Sequence, residues 1–203
     1  MNSEVLDVDM LAFERGSSNT KQAVVDGVMK SLETGFVYTS HDMSQDFLDE
    51  VYGMLGEFFS KSTPQKETAK AEGTNGQRGY TGLLVETAAI SDVPDWKEML
   101  NWGKDIPTGH PLKKRYPHRF FNNVFPEDLV PGITGTLEKF HDQVLDLQLR
   151  FLRIIASGLK ASETFFDSFV PGGATLTRAI NYPAMNLAPN DNHLWAEEHG
   201  DIN

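Results

Sequence analysis

From about Thr134 to Leu159 the apolar residues Leu137, Phe140, Val144, Leu147, Phe151, Leu152, Ile155 and Leu159 recur every three or four positions. That spacing is one face of an α-helix sustained over more than five turns. A helix with a single apolar face must be covered, so the rest of the chain has to supply a layer that packs on it. Any core-packed helix shows such a stripe, so the stripe specifies packing and names no partner.

The covering elements can be read in order. Val5 to Val8 is short and β-prone, and Arg15-Gly16-Ser17-Ser18-Asn19 is a polar turn cluster. A helix then carries Val24, Val25, Val28, Met29 and Leu32 on one side and ends at Gly35. Phe36 to Thr39 reads as a strand, and Ser44 as the N-cap of a helix with Phe47, Leu48, Val51, Tyr52, Leu55, Phe58 and Phe59 at helical spacing. Thr63-Pro64 predicts an N-cap and first-turn proline opening a charged, exposed helix from Gln65 to about Ala71.

Glu72 to Gly82 holds four glycines in eleven residues, which predicts a loop with contacts to a site. Trp96 to Gly103 alternates bulky residues, and the five prolines between Pro107 and Pro131 predict irregular covering structure. After the long helix, Ser162 to Asp167 predicts a short helix. Thr175 to Tyr182 predicts a strand, with Trp195 to Asn203 as its neighbour. Helices first and strands last make an α+β chain.

The chain closes on Glu197-Glu198-His199-Gly200-Asp201-Ile202-Asn203. Residues i and i+2 of a strand share a face, so His199 and Asp201 can grip one metal ion together. An imidazole and a carboxylate are two thirds of the 2-His-1-carboxylate triad that holds non-haem Fe(II). Glu197 and Glu198 are consecutive on the same expected strand and face opposite sides, which argues against an acid/base pair. Among the other histidines, His141 beside Phe140 is expected to be a structural, half-buried residue, and His41, His110, His118 and His193 to face solvent.

Six fragments in order carry a resemblance: Glu33-Thr34-Gly35-Phe36-Val37-Tyr38, Phe58-Phe59 before a lysine-rich helix, Arg78-Gly79-Tyr80, Asp95-Trp96-Lys97-Glu98, Arg178 through Tyr182-Pro183, and His199-Gly200-Asp201. In these the chain resembles the isopenicillin N synthase-like Fe(II)/2-oxoglutarate-dependent oxygenases. The resemblance implies a double-stranded β-helix, or jelly-roll, core with a long outer helix and N-terminal helices, the C-terminal part of the core being missing from this chain. It divides a single, truncated oxygenase domain (1–203) into an N-terminal helix, strand and covering region (1–133), a long support helix (134–170) and the first metal-bearing core strands (171–203).

The resemblance further implies that His199 and Asp201 are iron ligands, that Tyr182 with Asn181 contacts 2-oxoglutarate, and that Fe(II) and 2-oxoglutarate are the cofactor and cosubstrate. The third ligand and the Arg-x-Ser pair that binds the oxo-acid would lie beyond Asn203. Arg78 can bind a substrate carboxylate bidentately, or be a loop-surface arginine in an ion pair. Arg178 either points into the barrel mouth or pairs with an outer carboxylate, the former being preferred. The expected function is hydroxylation, desaturation or cyclisation of a small metabolite with O2, the resemblance implying an amino-acid-derived or secondary-metabolite substrate. The alternatives are a truncated, non-catalytic member serving as a binding module, and a zinc hydrolase using the same pair.

Composition narrows the partners. Eighteen Lys and Arg against twenty-nine Asp and Glu leave a formal charge of -11, which opposes nucleic acid and anionic membrane surfaces. No cysteine is present, so no disulfide, thiolate nucleophile or Cys-ligated metal arises. With 39% hydrophobic residues the chain can bury a core, no window resembles a membrane span or signal peptide, and a cytoplasmic location is expected. The glycine-rich stretch lacks a phosphate-binding Gly-x-x-x-x-Gly-Lys-Ser/Thr pattern.

Overall fold

The computed structural model describes residues 5–88, 91–170 and 172–198. Along the chain run β1 (Leu6–Val8), α1 (Met10–Arg15), α2 (Ser18–Ser31), β2 (Val37–Thr39), α3 (Gln45–Ser60), α4 (Thr63–Lys66), β3 (Gly79–Thr81), β4 (Glu98–Trp102), α5 (Pro111–Arg115), α6 (Ile133–Gly158) and β5 (Thr177–Asn181). Single 3-10 turns occupy Glu67–Ala69, Phe165–Ser168 and Met185–Leu187. The chain is a mixture of helices and strands, as an α+β reading requires. It gathers into two compact units, Met1–Leu48 with Asp142–Gly173 and Asp49–His141 with Ala174–Asn203.

In the first unit β1 and β2 pair in parallel, Leu6 opposite Val37 and Val8 opposite Thr39. Val8, Met10, Phe13, Val24, Val25, Val28 and Ile154 form its buried core, with Leu147 and Phe151 packed against it. Helix α1 is absent from the sequence expectation because six residues carry too little periodicity. Its local signal is Asp9, whose carboxylate accepts the Ala12 amide at 3.1 Å. Ser17 caps α2 in the same way, so Ser18 and Asn19, expected in a turn, are its first helical residues. Arg150 holds Glu14 at 2.6 Å and Asp42 at 2.8 Å.

The second unit carries an antiparallel sheet in the order β3-β4-β5. Tyr80 lies opposite Leu100, Leu100 opposite Ala179, Glu98 opposite Asn181 and Trp102 opposite Thr177. Opposed residues share a face. One face therefore carries Tyr80, Glu98, Leu100, Trp102, Thr177, Ala179 and Asn181, and the other Thr81, Met99, Asn101, Arg178 and Ile180. The first face is covered by buried Val51, Leu55 and Phe58 of α3 and by Leu137 of α6, whose carbonyl accepts the Trp102 indole N–H at 2.9 Å. Phe58 meets Tyr80 edge-on at 5.8 Å between ring centroids.

Three expectations for this unit change. The N-cap before Pro64 is Ser62 rather than Thr63; its amide donates to the Gln65 side chain at 3.1 Å. The helix that follows is not fully exposed, since Lys66 and Ala69 are buried. The glycine-rich stretch ends in a buried strand, β3. Gly79 starts it at φ +70°, and a Cβ there would strike the Ala69 carbonyl. Trp195–Glu198 form no strand with β5; the rest of that expected strand lies outside the described residues.

Candidate active site

Glu98, 2% exposed at the start of β4, is a buried carboxylate of the second unit. Its Oε2 accepts from the Lys66 ammonium at 2.6 Å and from the Tyr80 hydroxyl at 2.5 Å. Its Oε1 accepts from the Asn181 amide at 2.8 Å. Burial first, and then the Glu98 carboxylate, push the Tyr80 phenol far above its ordinary pKa, so Tyr80 stays a proton donor to Glu98. One carboxylate thus ties α4, β3 and β5 together on the dry face of the sheet.

Asn181 and Tyr182 consequently part company. The Asn181 amide is committed inward to Glu98, whereas Tyr182, the residue following β5, is 44% exposed. Strand alternation puts it on the side of Arg178 and Ile180. Its ring lies 6.2 Å from that of Trp195, whose indole N–H donates to the Pro183 carbonyl at 2.7 Å. From this geometry Tyr182 can present its phenol to a bound acid; Asn181 cannot join it without breaking its bond to Glu98.

Arg178 lies on that open face, where its Nε donates to Asn101 Oδ1 at 3.1 Å and a terminal nitrogen approaches Glu86 at 3.7 Å. It pairs with an outer carboxylate and also stays at the open face. Glu86 is shared with Lys97, at 3.3 Å, and Lys97 also holds Asp95 at 2.8 Å. Burial works to lower the Lys97 pKa, but the bonds and charges of Asp95 and Glu86 outweigh it and hold the ammonium above its ordinary range.

Arg78 is not on the loop surface. It is 2% exposed, with its guanidinium on the carbonyls of Gln77 at 2.7 Å and Thr175 at 3.5 Å, and its Nε has no hydrogen-bond partner among the described residues. Burial lowers its pKa against the opposing pull of Asp105. Gly103 makes room for it, because a Cβ there would lie 2.5 Å from an Arg78 nitrogen and closer still to the Thr175 carbonyl. Arg78 is therefore an interior residue, not one offered to solvent.

The histidines also sort themselves. His141 is buried, its two ring nitrogens bonded to Thr177 Oγ1 at 2.7 Å and Thr175 Oγ1 at 3.0 Å, as a structural histidine should be. His193, expected in solvent, is buried with Nδ1 on the Pro94 carbonyl at 3.0 Å. No cluster of three or more His, Cys, Asp or Glu able to hold a metal occurs among the described residues. His199 and Asp201 lie outside them. A cavity of about 370 Å³ runs along β5, lined by Val51, Leu55 and Phe59 of α3 with Trp102 and Phe140. No helix among the described residues is long and apolar enough to cross a membrane.

Sequence reasoning missed the roles of Asp95, Lys97 and Glu98. Their only signal was the compact Asp95-Trp96-Lys97-Glu98 fragment, which mixes two acids, a base and an indole in a stretch otherwise reading as strand.

Comparison with known proteins places this geometry. Residues 5–128 match the family model described as non-haem dioxygenase in morphine synthesis, N-terminal. A probable iron/ascorbate oxidoreductase of Dictyostelium discoideum is 25% identical over 207 residues, covering 97% of this chain and 56% of its own. A 2-oxoglutarate-dependent dioxygenase of Aspergillus niger is 26% identical over 184 residues, covering 89% of this chain and 56% of its own. A crystal structure of a 2OG-Fe(II) oxygenase family protein from Caulobacter crescentus superposes with a TM-score of 0.81 at 27% identity, over 100% of this chain and 62% of that one. A full-length Neurospora crassa protein in complex with alpha-KG gives 0.79 at 26%, over 99% and 63%. The chain thus spans a little over half the length of the relatives it matches.

Proposed function

This chain belongs to the Fe(II)/2-oxoglutarate-dependent oxygenases, and from that premise we propose that it carries part of the active site of an enzyme that oxidises a small metabolite. The reaction couples oxidative decarboxylation of 2-oxoglutarate, to succinate and CO2, with O2-dependent hydroxylation, desaturation or cyclisation. The jelly-roll core belongs to the same proposal. The observation that supports it best is the division of labour across the β3-β4-β5 sheet. One face is covered by α3 and carries the Glu98 network, while on the other Arg178 and Ile180 of β5, with Tyr182 after it, stand exposed beside buried Met99 and Asn101, shortly before His199 and Asp201 in the sequence.

An imidazole and a carboxylate are donor types that iron(II) accepts, so His199 and Asp201 fit the ion, and the described residues offer no competing cluster. Iron held by these donors would supply the redox chemistry with O2 and the oxo-acid. The protein's own groups do the rest. The Tyr182 hydroxyl is available to donate to a carboxylate of the oxo-acid, and its ring, steadied by Trp195, limits where that acid can lie. Arg178, held by Asn101, offers a positive charge for an anionic group of cosubstrate or substrate on a protein that is acidic overall. Asn181 is assigned to the framework because its amide is engaged by Glu98, and Arg78 because its guanidinium is buried there on the carbonyls of Gln77 and Thr175.

The test is an anaerobic titration of the full-length protein with Fe(II), with and without 2-oxoglutarate, following the visible charge-transfer band of a chelated oxo-acid. The band is expected in the parent and not in His199→Ala. A parent that binds Fe(II) but develops no band would refute 2-oxoglutarate as cosubstrate, and one that binds no Fe(II) would favour the non-catalytic binding module.

A further inference from the structure

Between Asn181 and Glu197 the chain makes an excursion whose only regular structure is the turn Met185–Leu187. Three residues of the Asp95 to Glu98 stretch, Asp95, Trp96 and Glu98, fasten it along its length. Glu98 takes the Asn181 amide where the excursion leaves the sheet. The Trp96 indole N–H donates to the Ala184 carbonyl at 3.3 Å, and the Trp96 backbone N–H to the Leu194 carbonyl at 2.7 Å. Beside it, His193 meets the Pro94 carbonyl. Asp95 Oδ1 accepts the backbone N–H of Glu197 at 3.1 Å. His199 follows two residues later in the sequence.

Asp95 is built for this. It is 4% exposed, and its two oxygens are divided, Oδ2 to the Lys97 ammonium and Oδ1 to the Glu197 amide. Lys97 is anchored in turn by Glu86, and the Asp95 amide donates to the Glu86 carbonyl at 2.9 Å, so the carboxylate has little freedom to turn away. A charged acceptor on a backbone amide is among the stronger hydrogen bonds a protein makes. It holds the chain two residues before His199 in the sequence.

We propose that Asp95-Trp96-Lys97-Glu98 is a fastening segment that positions the metal-bearing end of the chain, with Asp95, through the Glu197 amide, as its positioning residue. The inference rests on the reading of His199 and Asp201 as iron ligands. It adds that the affinity of that pair for metal is set in part by a carboxylate that never touches the ion.

The test uses the full-length protein with Co(II) alone as probe, together with amide hydrogen exchange without metal. In Asp95→Ala, exchange across residues 193–198 should rise about tenfold or more while β3 and β4 keep their protection, as expected for loss of one charged hydrogen bond in a locally opening segment. Co(II) affinity should fall about tenfold, the low end for groups that orient metal ligands. Asp95→Asn keeps an acceptor oxygen for Glu197 and should restore most of the protection. Parent-like exchange and Co(II) affinity in Asp95→Ala would overturn the inference, as would exchange that rises uniformly through the unit. His199→Ala separates the two readings. If it binds Co(II) as the parent does, the ligand assignment is wrong, and the exchange data still decide whether Asp95 fastens the segment.

Discussion

Asn181 and Tyr182 are neighbours in the chain and opposites in the sheet, the first bonded to buried Glu98 at 2.8 Å and the second 44% exposed against Trp195. Their substitutions should therefore separate cleanly. Asn181→Ala takes a donor from Glu98 Oε1 and should cost about 1–3 kcal/mol in stability, with KM for 2-oxoglutarate nearly unchanged. Tyr182→Phe should leave the melting temperature in place and raise that KM about tenfold or more, the value of one hydrogen bond to a charged group. Thermal melts beside steady-state kinetics check both, and an unchanged KM in Tyr182→Phe would remove Tyr182 from the site.

Lys66 and Glu98 are 7% and 2% exposed along their side chains and 2.6 Å apart. Truncating either strands the other in a dry interior. Glu98→Ala and Lys66→Met should each cost about 3–5 kcal/mol, well above the effect of breaking an exposed pair such as Lys61–Glu57. Urea unfolding measures the difference, and a loss below about 1 kcal/mol in both would mean that water reaches the pair.

Alkaline conditions should unfold the second unit before they ionise its buried phenol. The folded pKa values of Tyr80 and Lys97 are both raised above their ordinary values of 10.0 and 10.5. Groups shifted upward stabilise the fold fully below the unfolded pKa and lose that contribution as pH rises through the folded one. Stability should thus hold through neutral pH and fall above about pH 10. Tyr80→Phe should flatten the decline, as read from melting temperatures between pH 8 and 12 at fixed ionic strength.

Gly103 has no space for a methyl group. Gly103→Ala would press on both the buried Arg78 guanidinium and the Thr175 carbonyl, a backbone atom. A loss of about 1–3 kcal/mol is expected. Shortening the arginine in Arg78→Lys/Gly103→Ala should recover part of it, which a double-mutant cycle in urea would show.

What could be read in the sequence was what periodicity writes down. The stripe from Leu137 to Leu159 foretold α6, and the Phe47 to Phe59 pattern with Ser44 foretold α3 and its cap, since Ser44 accepts the Phe47 amide at 3.3 Å. β2 and β5 followed from short β-branched runs. α1 was too short to repeat, and β3 was hidden because Gly79 serves a left-handed start rather than a loop. The burial of Arg78, His193 and Lys66 depends on partners 32 to 99 residues away, Glu98, Thr175 and Pro94, which local pattern cannot register. The family followed from six ordered fragments, but only the structure assigns Asp95 and Glu98 their work.

The Glu98 to Asn181 bond also acts as a register lock. Sliding β5 by a single residue along β4 would turn Asn181 outward and drive Arg178 into the sealed side, because every side chain in a strand changes face at each step. Length changes during the divergence of such proteins should therefore collect between Met185 and Asn192, past the Ala184 carbonyl held by Trp96, where the chain can lengthen without altering which atoms meet across the ladder.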